Sequence, residues 1–201
     1  MSKPAPQHEK QGRPSQREQI LDAAEQLVAE QGAARLTFDA LVLKCGVSKG
    51  GLLYHFANKD MLLQAMIARI ETRFEWRRER YAENFAGDPN AALKSMLLAA
   101  MMVQDEAPAV HSAMLAAAAN NPDLLLPMRT HMQRLFAEID ASPVGAKGRL
   151  LFFAIHGARL FEQLGLCEQA CCDREVFAEH LLSLIDDWSG VTTSIATQSK
   201  A

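Results

Sequence analysis

The chain has 201 residues, of which 49% are hydrophobic and 22% charged, with a net charge of −3. This is an ordinary globular balance with core material for one or two domains. No apolar run reaches about 18 residues, which argues against a membrane span, and the first ten residues lack the apolar stretch of an export signal, so a cytoplasmic location is expected. Four cysteines do not make a disulfide framework in a chain of this size and compartment. Averaged over the whole chain, the charge speaks against a nucleic-acid partner. The average hides a polarity, because residues 1–60 carry eight Lys/Arg against seven Asp/Glu and residues 61–201 carry thirteen against seventeen.

Residues 1–14 have no periodicity and read as a flexible basic arm containing Lys10 and Arg13. Ser15-Gln-Arg-Glu18 is a capping box that starts a first helix. Ile20, Ala23, Ala24 and Leu27 recur along it at helical spacing, and Gly32 ends it. A second helix runs from Thr37 to Cys45, with Phe38, Leu41 and Val42 on one stripe. Gly46 supplies a tight turn, and Ser48 caps a third helix. In that helix Leu52 and Phe56 face inward at i, i+4 spacing together with Val47, while Gly50, Gly51, Tyr54 and His55 fall on the outward side. Two short helices meeting at a glycine turn form a helix-turn-helix. A recognition helix small at its start and aromatic-polar one turn later suits a DNA major groove.

Asn58 caps a long fourth helix, with Leu62, Met66, Ile70 and Phe74 along one side. Its segment Arg73, Arg77, Arg78, Arg80 alternates with Glu71, Glu75, Glu79 and Glu83. That pattern reads as a solvated helix laced with ion pairs, or as a second DNA contact. Asp88-Pro89 is read as the cap and first turn of a fifth helix ending before Pro108. A sixth covers about 109–119, and Asn120-Asn121-Pro122 starts a seventh. From Ala146 to Leu164 comes a helix apolar on almost every side, and the last helix runs from about Asp173 to Trp188. A helix apolar all round must be covered all round. Too few helices remain to do this in one monomer, so two copies packing as a four-helix bundle are expected, with burial inside one monomer as the competing reading. The interface would use Phe153, Leu160, Phe161, Phe177, Leu181, Leu184 and Trp188. No strand or repeat is expected, giving an all-α chain of about nine helices.

From Ser15 to about Ile70 the sequence resembles the TetR (tetracycline-repressor) family of bacterial transcription regulators. Helix, glycine turn, Ser48-Lys-Gly-Gly-Leu-Leu-Tyr-His-Phe56 and the Asn58-Lys-Asp start of the next helix all occur in order. The resemblance implies a three-helix DNA-binding head over residues 15–60, an effector-binding and dimerising body over 61–189 and a flexible tail from 190. Two recognition helices would then meet successive major grooves, about 34–36 Å apart. It implies repression relieved by a small molecule. The DNA-facing set is then Thr37, Lys44, Ser48, Lys49, Gly50, Gly51, Leu53, Tyr54, His55 and Lys59, with Lys59 similar to the family's phosphate-clamping lysine. A helix N-terminus offers N–H groups to phosphate, a glycine lets backbone approach closely, and Lys49 can hold a phosphate or read guanine. Two positions depart from the family pattern: Gly51 and Leu53 stand where Thr or Ser and Tyr are common. Leu43 is apolar where a polar residue is expected.

In the body, methionines concentrate in helices five to seven, and they serve either as ordinary core or as a pliable apolar pocket. The pocket reading names Phe74, Met101, Met102, Met114, Met128, Phe152 and His156, and expects a hydrophobic or amphiphilic effector. Gln104, His111, His131 and Arg159 are further polar candidates to orient it. Cys167, Cys171 and Cys172 cluster without a recognised zinc spacing, leaving a thiol redox role as an alternative. No cofactor, metal site or catalytic constellation is expected. The partners expected are double-stranded operator DNA, a small-molecule effector and a second copy of the chain, with no membrane. The competing reading is a ligand-binding or protein-interaction module with a vestigial head.

Overall fold

Caps and glycines divide the chain into helices, and a computed structural model describes them over residues 15–32, 35–102, 118, 121–166 and 174–190. The described residues contain eight α-helices and no strand: α1 (Gln16–Gln31), α2 (Phe38–Cys45), α3 (Lys49–His55), α4 (Lys59–Ala82), α5 (Ala91–Met101), α6 (Leu126–Ala141), α7 (Ala146–Gln163) and α8 (Arg174–Ser189). Ser15 accepts from the Glu18 N–H at 3.3 Å, Thr37 from Ala40 at 3.2 Å, and Asn58 from Met61 at 2.9 Å, each satisfying a helix-start donor. The Glu18 carboxylate itself engages Arg17 and Arg69. The helix expected over 109–119 lies outside the described residues, apart from Ala118, which is helical and buried. The expected arm, most of the tail, Gln104, His111, Met114, Cys167, Cys171 and Cys172 lie outside them as well.

Two apolar cores result. Ile20, Leu27 and Val28 of α1 meet Leu41 of α2, Leu52 of α3, Phe56, and Leu62, Leu63, Met66 and Ile67 of α4. The second core gathers Leu93 and Leu97 of α5, Leu135 and Ile139 of α6, Leu151, Phe152 and Ile155 of α7, and Leu181 and Ile185 of α8. Each fully covered aliphatic side chain contributes about 1.5–3 kcal/mol. The division expected at residue 60 does not coincide with a break in packing. Helix α4, about 36 Å long at 1.5 Å per residue, gives its first half to the head core and Phe74 and Tyr81 to the body core. Leu124, in the 3-10 turn Pro122–Leu125 before α6, also lies in the head core at 1% exposure.

Several expectations change in detail. Asp88 is not the cap of α5: its carboxylate accepts from the Asn90 N–H at 2.7 Å inside a turn, and α5 starts at Ala91. The second carboxylate oxygen of Asp88 lies 2.6 Å from the Lys94 ammonium, which also pairs with Asp186 of α8. Burial works against the Lys94 charge, but these two partners outweigh it and hold its pKa above the ordinary lysine value. The arginines of α4 pin it to other helices more than to itself. Arg69 and Arg73 reach Glu25 of α1, Arg78 reaches Glu138 of α6, and Glu75 accepts from Arg134 at 2.6 Å. Helix α7 is two-faced: Leu151, Phe152 and Ile155 are covered, whereas Leu150, Phe153, Leu160 and Phe161 are exposed. Leu181 is a correction to the expected interface set, because the α8 face packed on α5 carries it into the monomer core at 5% exposure. Phe177 and Trp188 are half-buried against that core, and Leu184 is exposed.

Gly148 marks the tightest approach in the body. A Cβ there would stand 2.8 Å from the Ile139 methyl Cγ2 and 3.1 Å from Leu93 Cδ2, and both partners are immobilised by full burial. Gly148→Ala is therefore expected to destabilise the chain by about 1–3 kcal/mol, although alanine favours a helix by about 1 kcal/mol. Denaturant unfolding measures this, and a more stable variant would contradict the packing.

Candidate nucleic-acid interface and interior cavity

Gly46 turns the chain at φ +69° and its N–H closes α2 on the Val42 carbonyl at 3.0 Å, a left-handed conformation that glycine adopts without strain. Ser48 then accepts from the Gly51 N–H at 3.1 Å and opens α3. Leu52 and Phe56 anchor this helix in the head core, as their spacing predicts. Tyr54 projects at 85% exposure, Leu53 at 44%, and the space around Gly50 is open. Gly51 and His55, one turn apart, lie half-buried on the flank facing α1 instead of fully outward. A Cβ on Gly51 would meet Val47 Cγ1 at 3.0 Å, and a ring nitrogen of His55 lies 3.3 Å from Gln16 Oε1. A side chain at 51 would thus press on the Val47 methyl on the inner flank of α3. Thr37 and Lys59 are exposed at the starts of α2 and α4.

The lysines are restrained by neighbours that sequence reasoning missed. Lys49 donates to Asp39 at 2.9 Å, and Lys44 to both carboxylate oxygens of Glu30 at 2.7 Å. The Lys49 pair is well exposed, so releasing it to a phosphate costs only about 0.2–1 kcal/mol. Asp39 and Lys49 are ten positions apart in sequence, with no periodic signal connecting them. Leu43, at 86% exposure, has no partner that accounts for it.

Below the head a cavity of about 350 Å³ opens between α4, α5, α6 and α7. Phe74, Met128, Phe152 and His156, expected there, line it. So do Ile70, His131, Met132, Arg159 and Leu160. Met101 is buried in the body core and Met102 packs against that core, and neither lines the cavity. Ile70 and Met128 also touch the head core, so they belong to both regions. The His156 and Phe152 rings stack at 4.0 Å between centroids. His156 presents surface to the cavity, yet protein crowds its ring. That desolvation holds its pKa below the ordinary histidine value despite a hydrogen bond with the Phe152 carbonyl, and the Arg159 charge adds to the drop. Glu71 was legible only as one acid in an alternating charge run. Here its Oε1 is buried without a hydrogen-bond partner. Burial raises its pKa and Glu75 adds to the rise, while His131 and Arg134 oppose it.

A helix-turn-helix carried on a hollow all-helical body defines a DNA-binding transcription regulator with room for a small molecule. The model for bacterial regulatory proteins of the tetR family matches residues 20–66, and that for the tetracyclin repressor-like C-terminal domain matches residues 90–186. The chain belongs to the TetR family of transcription regulators, which are DNA-binding proteins and not enzymes. It is 29% identical over 129 residues to the regulator BetI of Stenotrophomonas maltophilia, covering 63% of this chain and 66% of that protein. To the regulator TtgR of Pseudomonas putida it is 34% identical over 83 residues, 41% of this chain and 39% of that protein. It thus spans less than two thirds of either relative. The putative transcriptional regulator SCO7518 of Streptomyces coelicolor shares the fold, with a TM-score of 0.65 at 21% identity over 85% of this chain and 98% of that one. No described helix is long and apolar enough to cross a membrane.

The Glu71 environment gives a stability prediction. An acid whose pKa is raised by folding opposes folding once the pH exceeds its folded value, and ceases to do so below its unfolded value. Glu71→Gln is expected to raise the thermal midpoint near neutral pH, with the gain shrinking as the pH falls toward the ordinary value of 4.5. Thermal unfolding across pH checks this; a lower midpoint at neutral pH would contradict it.

Proposed function

We propose that the chain is a homodimeric, sequence-specific repressor that leaves its operator when a small hydrophobic or amphiphilic molecule fills the body cavity. The observation that carries this reading is the double membership of Ile70 and Met128, each touching both the head core and the cavity. A molecule entering the cavity displaces these side chains, and they bear on the helices that hold α3. Two-fold pairing turns a small tilt of each head into a change in spacing between recognition helices. Operator affinity then falls by the ligand's differential affinity for the two arrangements. Pairing is supported by the exposed Phe153, Leu160, Phe161 and Leu184, joined by Leu150 and Leu164, an apolar surface that a second copy would cover. On the DNA side, Tyr54, Lys49, Ser48 and the α3 N-terminus meet phosphate and base edges, with Lys59 and Thr37 as flanking phosphate contacts. Leu53 contributes apolar contact to a thymine methyl, His55 and Gly51 hold the helix flank, and Lys44 braces α2 against α1. Such a regulator works in the cytoplasm.

The test is a gel shift on a palindromic site chosen from the promoter beside the protein's own gene. Tyr54→Ala and Lys49→Ala are expected to abolish specific binding while the dimer persists in size-exclusion chromatography. Wild-type affinity should weaken by tenfold or more between about 50 and about 200 mM salt. Wild-type shifts from both variants, or a flat salt response, would refute the assigned surface.

A further inference from the structure

The polar groups around the cavity are unequally provided for. Arg77 Nε donates to the Ala99 carbonyl at 3.2 Å and Arg159 Nη1 to the Ala100 carbonyl at 2.8 Å. Both cations thereby sit at the C-terminal turn of α5, where a helix favours positive charge. His131 Nδ1 accepts from Arg134 at 3.1 Å, and its ring stands edge-on to Phe74. His156 uses Nδ1 on the Phe152 carbonyl at 2.9 Å, which as an N–H donor leaves Nε2 an acceptor. Glu71 is the exception: it lines the cavity, yet one of its carboxylate oxygens is buried with no donor. An unmet acceptor of this kind is unfavourable, the more so when it is charged. That oxygen is shut off from solvent, so a ligand in the cavity meets the carboxylate at its other oxygen.

We propose that Glu71 is the polar anchor of this cavity and that its ligand is a compact, mainly apolar organic amine, held by its protonated nitrogen on the Glu71 carboxylate and by its apolar body on Phe74 and Phe152. The inference rests on the cavity being the effector site. A charged donor fits better than a neutral hydroxyl, because a charge-assisted hydrogen bond is roughly twice as strong and the charges of a buried pair offset one another. Phe74 and Phe152 supply apolar wall, and His156 Nε2 offers a second acceptor to an ammonium with several N–H groups. An anionic ligand would meet the Glu71 charge, but Arg77 and Arg159 also line the cavity and each spends a single N–H on an α5 carbonyl, which makes the carboxylate probe the decisive control in the test. The volume, about 350 Å³, lies at the small end of ligand cavities, which limits the body of the ligand to about one or two fused rings.

The test titrates three isosteric probes into the full-length protein by calorimetry: 1-naphthylmethylamine, 1-naphthylmethanol and 1-naphthoate. Wild type is expected to bind the amine at least tenfold more tightly than the alcohol or the carboxylate. Glu71→Gln, nearly the same size, should remove most of that preference. Met132→Trp, which fills the cavity, should abolish binding of every probe, with circular dichroism verifying that both variants keep wild-type helicity. Equal or tighter binding of the alcohol or the carboxylate would overturn the amine class, as would amine affinity indifferent to Glu71→Gln. If Met132→Trp still abolishes binding in that case, the cavity remains the effector site. Probe binding indifferent to both substitutions, or no binding at all, would overturn the amine proposal, and indifference to Met132→Trp would take the effector reading with it.

Discussion

Leu124 precedes a helix of the body, yet its side chain is buried in the core of the head, against a layer built from α1, α2, α3 and the first half of α4. Around it, Leu125 and Met128 pack on the same core. Asn121 adds a hydrogen bond at 2.9 Å to Asp60 in the first turn of α4. This insertion makes the start of α6 a structural part of the head. Together with α4, which serves both cores, it ties the helix-turn-helix to the wall of the cavity. Close-packed interiors transmit displacement because they have few alternative arrangements.

The electrostatics follow the same plan. Arg69 and Arg73 fasten α4 to α1, and Arg78 fastens it to α6. Lys94, deeply buried, ties the turn before α5 to α8. Pairs of this sort add little net stability when they are exposed. Removing one partner of a buried pair is expensive, so their chief consequence is a defined relative placement of helices. The recognition helix depends on that placement. It has only seven residues, too few to be stable alone, and it takes its orientation from Leu52 and Phe56 in the head core.

The head was readable from sequence because its determinants are local. Ser15, Thr37, Ser48 and Asn58 all cap within three residues of themselves, and Gly46 punctuates where it must. Apolar spacing placed Leu41, Leu52 and Phe56 inward correctly. What could not be read is long-range. Nothing near Leu124 announces that it is buried in a different core from the helix it precedes. The charge run of α4 gave its acids no distinction, so Glu71 looked like Glu75 although only Glu71 has a buried oxygen without a partner. Helix α7 reads as apolar on almost every side, and composition alone did not say which side α5 and α6 cover. Leu181 was misassigned for the same reason. Methionines were the weakest guide: Met128 and Met132 line the cavity, and Met101 fills core, because the side chain suits either place.

The head is held in place by the start of α6 as well as by α4. Hydrogen–deuterium exchange on Leu124→Ala in the full-length protein tests it most directly. Faster exchange is expected over α1, α3 and the first half of α4, far from the substitution in sequence but next to it in the core. Faster exchange confined to residues 121–141, with the head protected as in the wild type, would contradict it.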